Sequence, residues 1–181
     1  MEEATENLIR AGEIFMYTVW LQSQMSDLLI LKKNPGLIAP FVANPEKVPS
    51  EMAQLRAAYW ERHFGSVKEE FGSEFADLLS EQELKDLESI FHTRNMIAHA
   101  HVSLGRKYML YRPGGGEKKE QALIEALHIQ PVEGQAKPFM LKLEFWKDDL
   151  YLSVFGRIKR LDEVCFERLC RSIAVPHARI R

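Results

Sequence analysis

Apolar residues never run for long in this chain, and no stretch approaches the roughly 20 residues that a membrane-spanning helix needs. Cysteine is scarce. Cys165 and Cys170 are the two present, five apart on one expected helix, a spacing that suits neither a disulfide nor a metal knuckle. The first residues, Met1-Glu2-Glu3-Ala4-Thr5-Glu6, are acidic and lack a basic n-region, so no secretory signal is expected and the location reads as cytoplasmic, with reduced thiols. No group of carboxylates is spaced to hold a divalent ion, so neither a metal nor another cofactor is expected. Internal repeats and low-complexity segments are also missing.

What the chain does have is enough apolar material, 46% of 181 residues, for one well-packed domain spanning 1–181. Its net charge of −2 hides an asymmetry. Residues 1–100 carry nine Lys/Arg against sixteen Asp/Glu, and residues 101–181 carry fifteen against ten. The basic half either attracts a phosphate backbone or pairs with the acidic half of the same chain or of a second copy.

Proline is missing from Thr5 to Lys33, and the apolar residues there cover a wide helical face. A long first helix is expected, with Lys32 and Lys33 at the negative end of its dipole and Asn34-Pro35-Gly36 stopping it. Four prolines in 34–49 predict a loop. Ser50-Glu51 opens a second helix, with a break expected at Gly65 or Gly72. Ser80 and Glu83 have the spacing of a capping box for the next one. After residue 105 the period changes. Leu123–Val132 and Phe139–Phe145 read as strands, so a small antiparallel β insertion is expected over 106–147. A C-terminal helix over 148–173 follows, although Leu150–Phe155 also alternates passably as a strand. Residues 174–181 read as a basic, mobile tail. Trp20, Trp60 and Trp146 read as core. The fold class is thus mainly α, with a helical part over 1–105 and a small sheet before the last helix.

From Glu81 to Leu104 there is neither proline nor glycine, and Leu84, Leu87, Ile90, Phe91, Ile97, Ala98 and Val102 recur at helical spacing. Arg94 falls on that line where a leucine would be expected. Asn95 adjoins it, and His99 lies four residues after Asn95, on the same side. A polar row interrupting a core stripe costs stability unless something pairs with it, so this break is the first place to look for function.

Arg94-Asn95-x-x-x-His99, late in a set of long helices, resembles the signature of the HEPN superfamily, mostly helical domains many of which are metal-independent ribonucleases. The resemblance covers roughly residues 1–105 and implies an up-and-down helical bundle and a homodimer in which two motif helices face one cleft. It also implies RNA as substrate, and a place in toxin–antitoxin pairs, phage defence or RNA processing. In part of the family a tyrosine two residues after the motif His is modified by a nucleotide-adding antitoxin. Here that position is His101, so that mode of control is not expected.

The chemistry fits such a reading. Cleavage of RNA by its own 2′-hydroxyl needs a proton acceptor, a proton donor and a cation for the phosphorane. A histidine can fill either proton role near neutral pH. A permanently charged guanidinium matches phosphate oxygens. Arg94, His99 and Asn95 are therefore the candidate catalytic residues, Asn95 in a supporting role, and His101 and Arg106 are candidate substrate contacts. The 2′-OH requirement makes RNA a substrate and DNA not. Other readings stay open. Arg94 could pair with Glu88 or Glu13, and His99 could be a core histidine. The same cleft could bind RNA, a nucleotide or a protein without catalysis. Arg157, Lys159, Arg160, Arg168 and Arg171 could hold an RNA backbone or form a solvated face.

Overall fold

The computed structural model describes residues 2–44, 47–102, 106–127 and 140–179. In chain order it has α1 (Glu3–Lys33), a 3-10 turn (Pro35–Leu37), α2 (Ile38–Ala43), α3 (Ser50–Trp60), α4 (Phe64–Glu74), α5 (Glu81–His99), β1 (His101–Val102), β2 (Met109–Tyr111), α6 (Glu117–Leu127), β3 (Leu141–Leu143), α7 (Asp148–Arg160), a π-helical turn (Leu161–Phe166) and α8 (Glu167–Ser172). The fold is mainly helical with one small antiparallel sheet, as expected.

Several boundaries follow local chemistry. Ser80 and Glu83 form the full capping box: Ser80 N–H donates to Glu83 Oε2 (2.7 Å), and Glu83 N–H donates to Ser80 Oγ (3.3 Å). The sheet runs β1-β2-β3, with Val102 opposite Met109 and Met109 opposite Leu143. In β3 the alternation is as read: Leu141, Leu143 and Phe145 are buried, while Lys142 and Glu144 are half-exposed.

Other expectations are corrected. Residues 123–127 are helical, not a strand, because 117–127 is rich in Glu, Lys, Ala and Leu, with Leu123, Ile124 and Leu127 at helical spacing. The rest of that expected strand, and Phe139, lie outside the described residues. The proline-rich loop folds in part. Pro35 opens the 3-10 turn, and Pro40 lies in the first turn of α2, where a missing N–H costs nothing. The second break falls at residues 61–63, and Gly65 and Gly72 both lie inside α4. A Cβ on Gly72 would sit at ordinary contact distance, 3.7 Å, from Leu84 Cδ2, so this glycine marks neither a bend nor a close approach. Leu150–Phe155 is helical. Trp60 is 73% exposed, and Trp20 and Trp146 are half-buried, so none of the three is core.

The chain divides into two compact units. The first comprises residues 1–18 and 88–157. Its core gathers Ile14, Ile90, Met96, Met109, the inward face of β3 and Val154. Buried Asn7 on α1 fastens the end of β3: its Nδ2 donates to Leu143 O (3.2 Å), and its Oδ1 accepts from Trp146 N–H (3.1 Å). Arg10, one turn on, donates to the carbonyls of Phe145 and Trp146 and to Asp148.

The second unit comprises residues 19–87 and 158–181. Its core is built on Leu21, Met25 and the run Leu28–Leu31, with Met52, Phe64, Val67, Phe71, Phe75, Phe166 and Leu169. Burying each such large apolar side chain contributes roughly 1.5–3 kcal/mol. Phe71 meets Phe166 edge-on at 5.7 Å. Around this core Arg56 makes a two-bond fork to Asp27 (2.7 and 2.6 Å).

Candidate functional site

The motif helix ends at His99, five residues earlier than expected, and the chain turns into β1. Its buried line also differs from the one read off the apolar residues. Asp86, Leu87, Ser89, Ile90, Thr93 and Met96 are buried, whereas Leu84 and Val102 are 42% and 49% exposed. Three polar residues thus belong to the buried face. Thr93 bonds to its own helix, its Oγ1 donating to Ser89 O (2.9 Å). Ser89 Oγ accepts from Arg157, and Asp86 is held in a fork by Arg160 (3.1 and 3.0 Å). The recurrence 86, 89, 93 was visible in the sequence but consists of residues that polarity assigns to the surface.

Arg94 sits beside that line, half-buried. Its Nη1 donates to Asn95 Oδ1 (3.1 Å), and its guanidinium carbon lies 5.5 Å from the centre of the Phe15 ring. Its Nε is buried and has no hydrogen-bond partner among the described residues. Neither carboxylate proposed to neutralise it does so. Glu13 accepts from Tyr17 (3.3 Å) and Tyr151 (2.6 Å), and Glu88 pairs with His92 (2.9 Å). Burying an arginine without a carboxylate partner is costly, and the aromatic face of Phe15 offsets only part of that cost.

His99, the last residue of α5, is exposed, which removes the core-histidine reading; it makes no hydrogen bond or ion pair with a described residue. Asn95 orients Arg94 through its carbonyl oxygen, leaving the amide nitrogen for another partner. His101 is on β1, exposed, and so has no helical phase with Arg94. Arg106 is exposed, with its guanidinium 5.7 Å from the Tyr108 ring. Among the described residues no group of three His, Cys, Asp or Glu side chains is placed to hold a metal ion.

The basic residues of the C-terminal helices are largely committed. Arg160 holds Asp86, Arg168 holds Glu83 (2.8 Å), and Arg171 holds Glu167 (3.0 Å). Arg160 and Arg168 thus pair with carboxylates of the acidic half of the same chain, whereas Arg171 pairs within its own helix.

Comparison with known proteins finds no family model, no curated protein and no solved structure that matches the chain. Among the described residues no helix is long and apolar enough to cross a membrane.

Proposed function

We propose that the protein is a metal-independent RNA endonuclease of HEPN type, with Arg94 and His99 as its catalytic pair. The observation that carries this reading is the state of Arg94: a half-buried guanidinium aimed by Asn95 and Phe15, with no carboxylate on it and a buried Nε unsatisfied. An anion brought to it would complete its bonding, and a bridging phosphate has the matching geometry. His99 stands on the same helix, exposed to solvent.

In the cleavage step the 2′-oxygen attacks phosphorus, the bond from phosphorus to the 5′-oxygen breaks, and a 2′,3′-cyclic phosphate forms. His99 takes the 2′-OH proton or supplies one to the leaving 5′-oxygen, and Arg94 meets the charge that grows on the phosphoryl oxygens. His99 fills one of the two proton roles, and His99 of a second copy would fill the other. Leu8, Ile9 and Met16 on α1 are 48%, 54% and 63% exposed, an apolar surface flanking Phe15 that suits such a homodimer. A cytoplasmic location agrees with free Cys165 and Cys170, and an antitoxin protein is a further candidate partner.

One observation favours a second reading. A proton carrier is ordinarily oriented by a third group, and His99 has none among the described residues. A dimer that binds RNA, a nucleotide or a protein at Arg94 without cutting would leave His99 free in this way. The deciding experiment is RNA cleavage in EDTA by wild type, His99→Ala and Arg94→Ala, with the product ends analysed. Cleavage by wild type alone, leaving 2′,3′-cyclic phosphate ends, supports the nuclease. An inert wild type that binds RNA in an Arg94-dependent way supports the binding module. Equal activity in all three proteins removes the site.

A further inference from the structure

Within the second unit, two local departures from regular helix geometry converge on one cysteine. The π-helical turn Leu161–Phe166 inserts an extra residue per turn and carries Asp162, a carboxylate only 2% exposed. Ten residues on, the chain reverses at the end of α8. Ala174 adopts φ +57°, a left-handed conformation costly for any residue with a Cβ, and Val175 N–H donates back to Cys170 O (3.0 Å). That reversal folds the expected mobile tail under the helix, so the His177 side chain is 4% exposed. Its Nε2 lies 3.1 Å from Asp162 Oδ1, and its Nδ1 lies 3.9 Å from Cys170 Sγ. In this geometry the two atoms are close but make no hydrogen bond with each other. Catalytic hydrogen bonds commonly align only once substrate is bound.

Acid, imidazole and thiol therefore stand in the order that activates a nucleophile: a carboxylate beside one ring nitrogen, the other ring nitrogen near the sulfur, and the sulfur itself. Cys170 also lines a cleft of about 480 Å³ whose walls include Trp20, Leu28, Leu31, Phe41 and Trp60. Such a cleft suits an apolar chain. The charged groups facing it are Asp27 and Arg56, already paired with each other.

We propose that Cys170, His177 and Asp162 form a nucleophilic thiol site that takes an acyl group from an apolar thioester bound in this cleft. Cys170 Sγ attacks the thioester carbonyl carbon and forms a new C–S bond, and its proton passes to His177 Nδ1. The tetrahedral adduct collapses by breaking the original C–S bond, and the departing thiol takes that proton. The products are S-acyl Cys170 and a free thiol, with no oxidant or reductant consumed. Asp162 steadies the imidazolium between the two transfers. Burial pushes the Cys170 thiol up to about 11, with Asp162 and Asp27 adding in the same direction, so it rests protonated and its attack depends on a base beside it.

The test is incubation of the full chain with the octanoyl thioester of N-acetylcysteamine, followed by mass spectrometry of the intact protein and its peptides. Cys165, buried against Glu83 and Arg168 with no histidine, is the internal control. Acylation of Cys170 at least about tenfold faster than of Cys165, absent in Cys170→Ser and slowed at least about tenfold in His177→Gln, is the expected result. No adduct, equal acylation of both cysteines, or an unchanged rate in a folded His177→Gln overturns the proposal. Should that variant fail to fold, the wild-type rate against pH decides, with Asp162, Asp27 and Arg56 as the other charges around the thiol. A rate that levels off once an imidazole is neutral supports a histidine base. A rate that keeps climbing about tenfold per pH unit above pH 8 reports simple thiol ionisation and overturns it.

Discussion

The Arg94 guanidinium carbon lies 5.5 Å from the centre of the Phe15 ring, so an aromatic face on α1 holds the one cation on which the proposed phosphate chemistry turns. A guanidinium–ring contact contributes roughly 0.5–1.5 kcal/mol, and here it also limits the orientations Arg94 can take. Phe15→Leu keeps the apolar volume and removes the ring. The expected outcome is RNA cleavage slowed about threefold to tenfold, with the melting temperature little changed. Arg94→Lys keeps the charge but loses the planar fork, and is expected to be slower still. Single-turnover cleavage rates of the two variants measure both effects; a Phe15→Leu enzyme as fast as wild type would separate the ring from the site.

Much of this architecture was legible because local chemistry and tertiary structure agree. The proline-free stretch up to Lys33, the Ser80–Glu83 box and the alternation Leu141, Leu143, Phe145 each state their element directly. Legibility failed where polar groups are buried by partners distant in sequence. Asp86 is inside because Arg160 reaches it across 74 residues, and nothing at position 86 announces that. His177 belongs to a short polar tail by composition, and is buried because Ala174 takes a conformation that sequence disfavours. In helix α6 the run Leu-Ile-Glu-Ala-Leu is too short to distinguish the two periods, and only its Glu/Lys/Ala flank decides for a helix. Arg94 was found by its pattern, but its partner Phe15 could not be.

Asn7 satisfies two backbone groups at the end of β3 with one buried side chain. Asn7→Leu removes both bonds and leaves Leu143 O and Trp146 N–H to find others, each orphaned group costing about 1–3 kcal/mol. The variant is expected to lose about 2–4 kcal/mol of stability in urea unfolding. An unchanged unfolding midpoint would mean that the two bonds contribute nothing net.

Glu70 collects bonds from Lys33, Tyr59 (2.8 Å) and Arg62. Burial alone would raise its pKa, but these three donors overcome that and hold the carboxyl at about 2, well below the ordinary carboxylate range. A carboxylate depressed in the folded state contributes stability that is fully present above its unfolded value near pH 4.5 and is lost as pH falls toward 2. Because the cluster is partly open to water, its contribution is on the order of 1–2 kcal/mol. Glu70→Gln should therefore melt lower than wild type at pH 7, and the gap should close between pH 4.5 and 2. A gap that stays constant across that range would show that packing, not charge, holds this corner.

Ala174 joins strain to the thiol site, and substitutions there can pull the two apart. Glycine takes φ +57° freely, so Ala174→Gly should relieve strain and stabilise by about 0.5–1 kcal/mol, raising the melting temperature by about 2 °C. The turn that brings Val175 N–H to Cys170 O is unchanged in that variant, and so is the placement of His177. Its acylation rate at Cys170 is expected to match wild type. Valine, β-branched, is disfavoured at a positive φ, and Ala174→Val should both lower the melting temperature and slow acylation as the reversal opens. Calorimetry and the thioester assay on the two variants read these quantities independently. If Ala174→Val melts lower yet acylates at the wild-type rate, the left-handed residue serves only to end the helix, and the base that activates Cys170 is not His177.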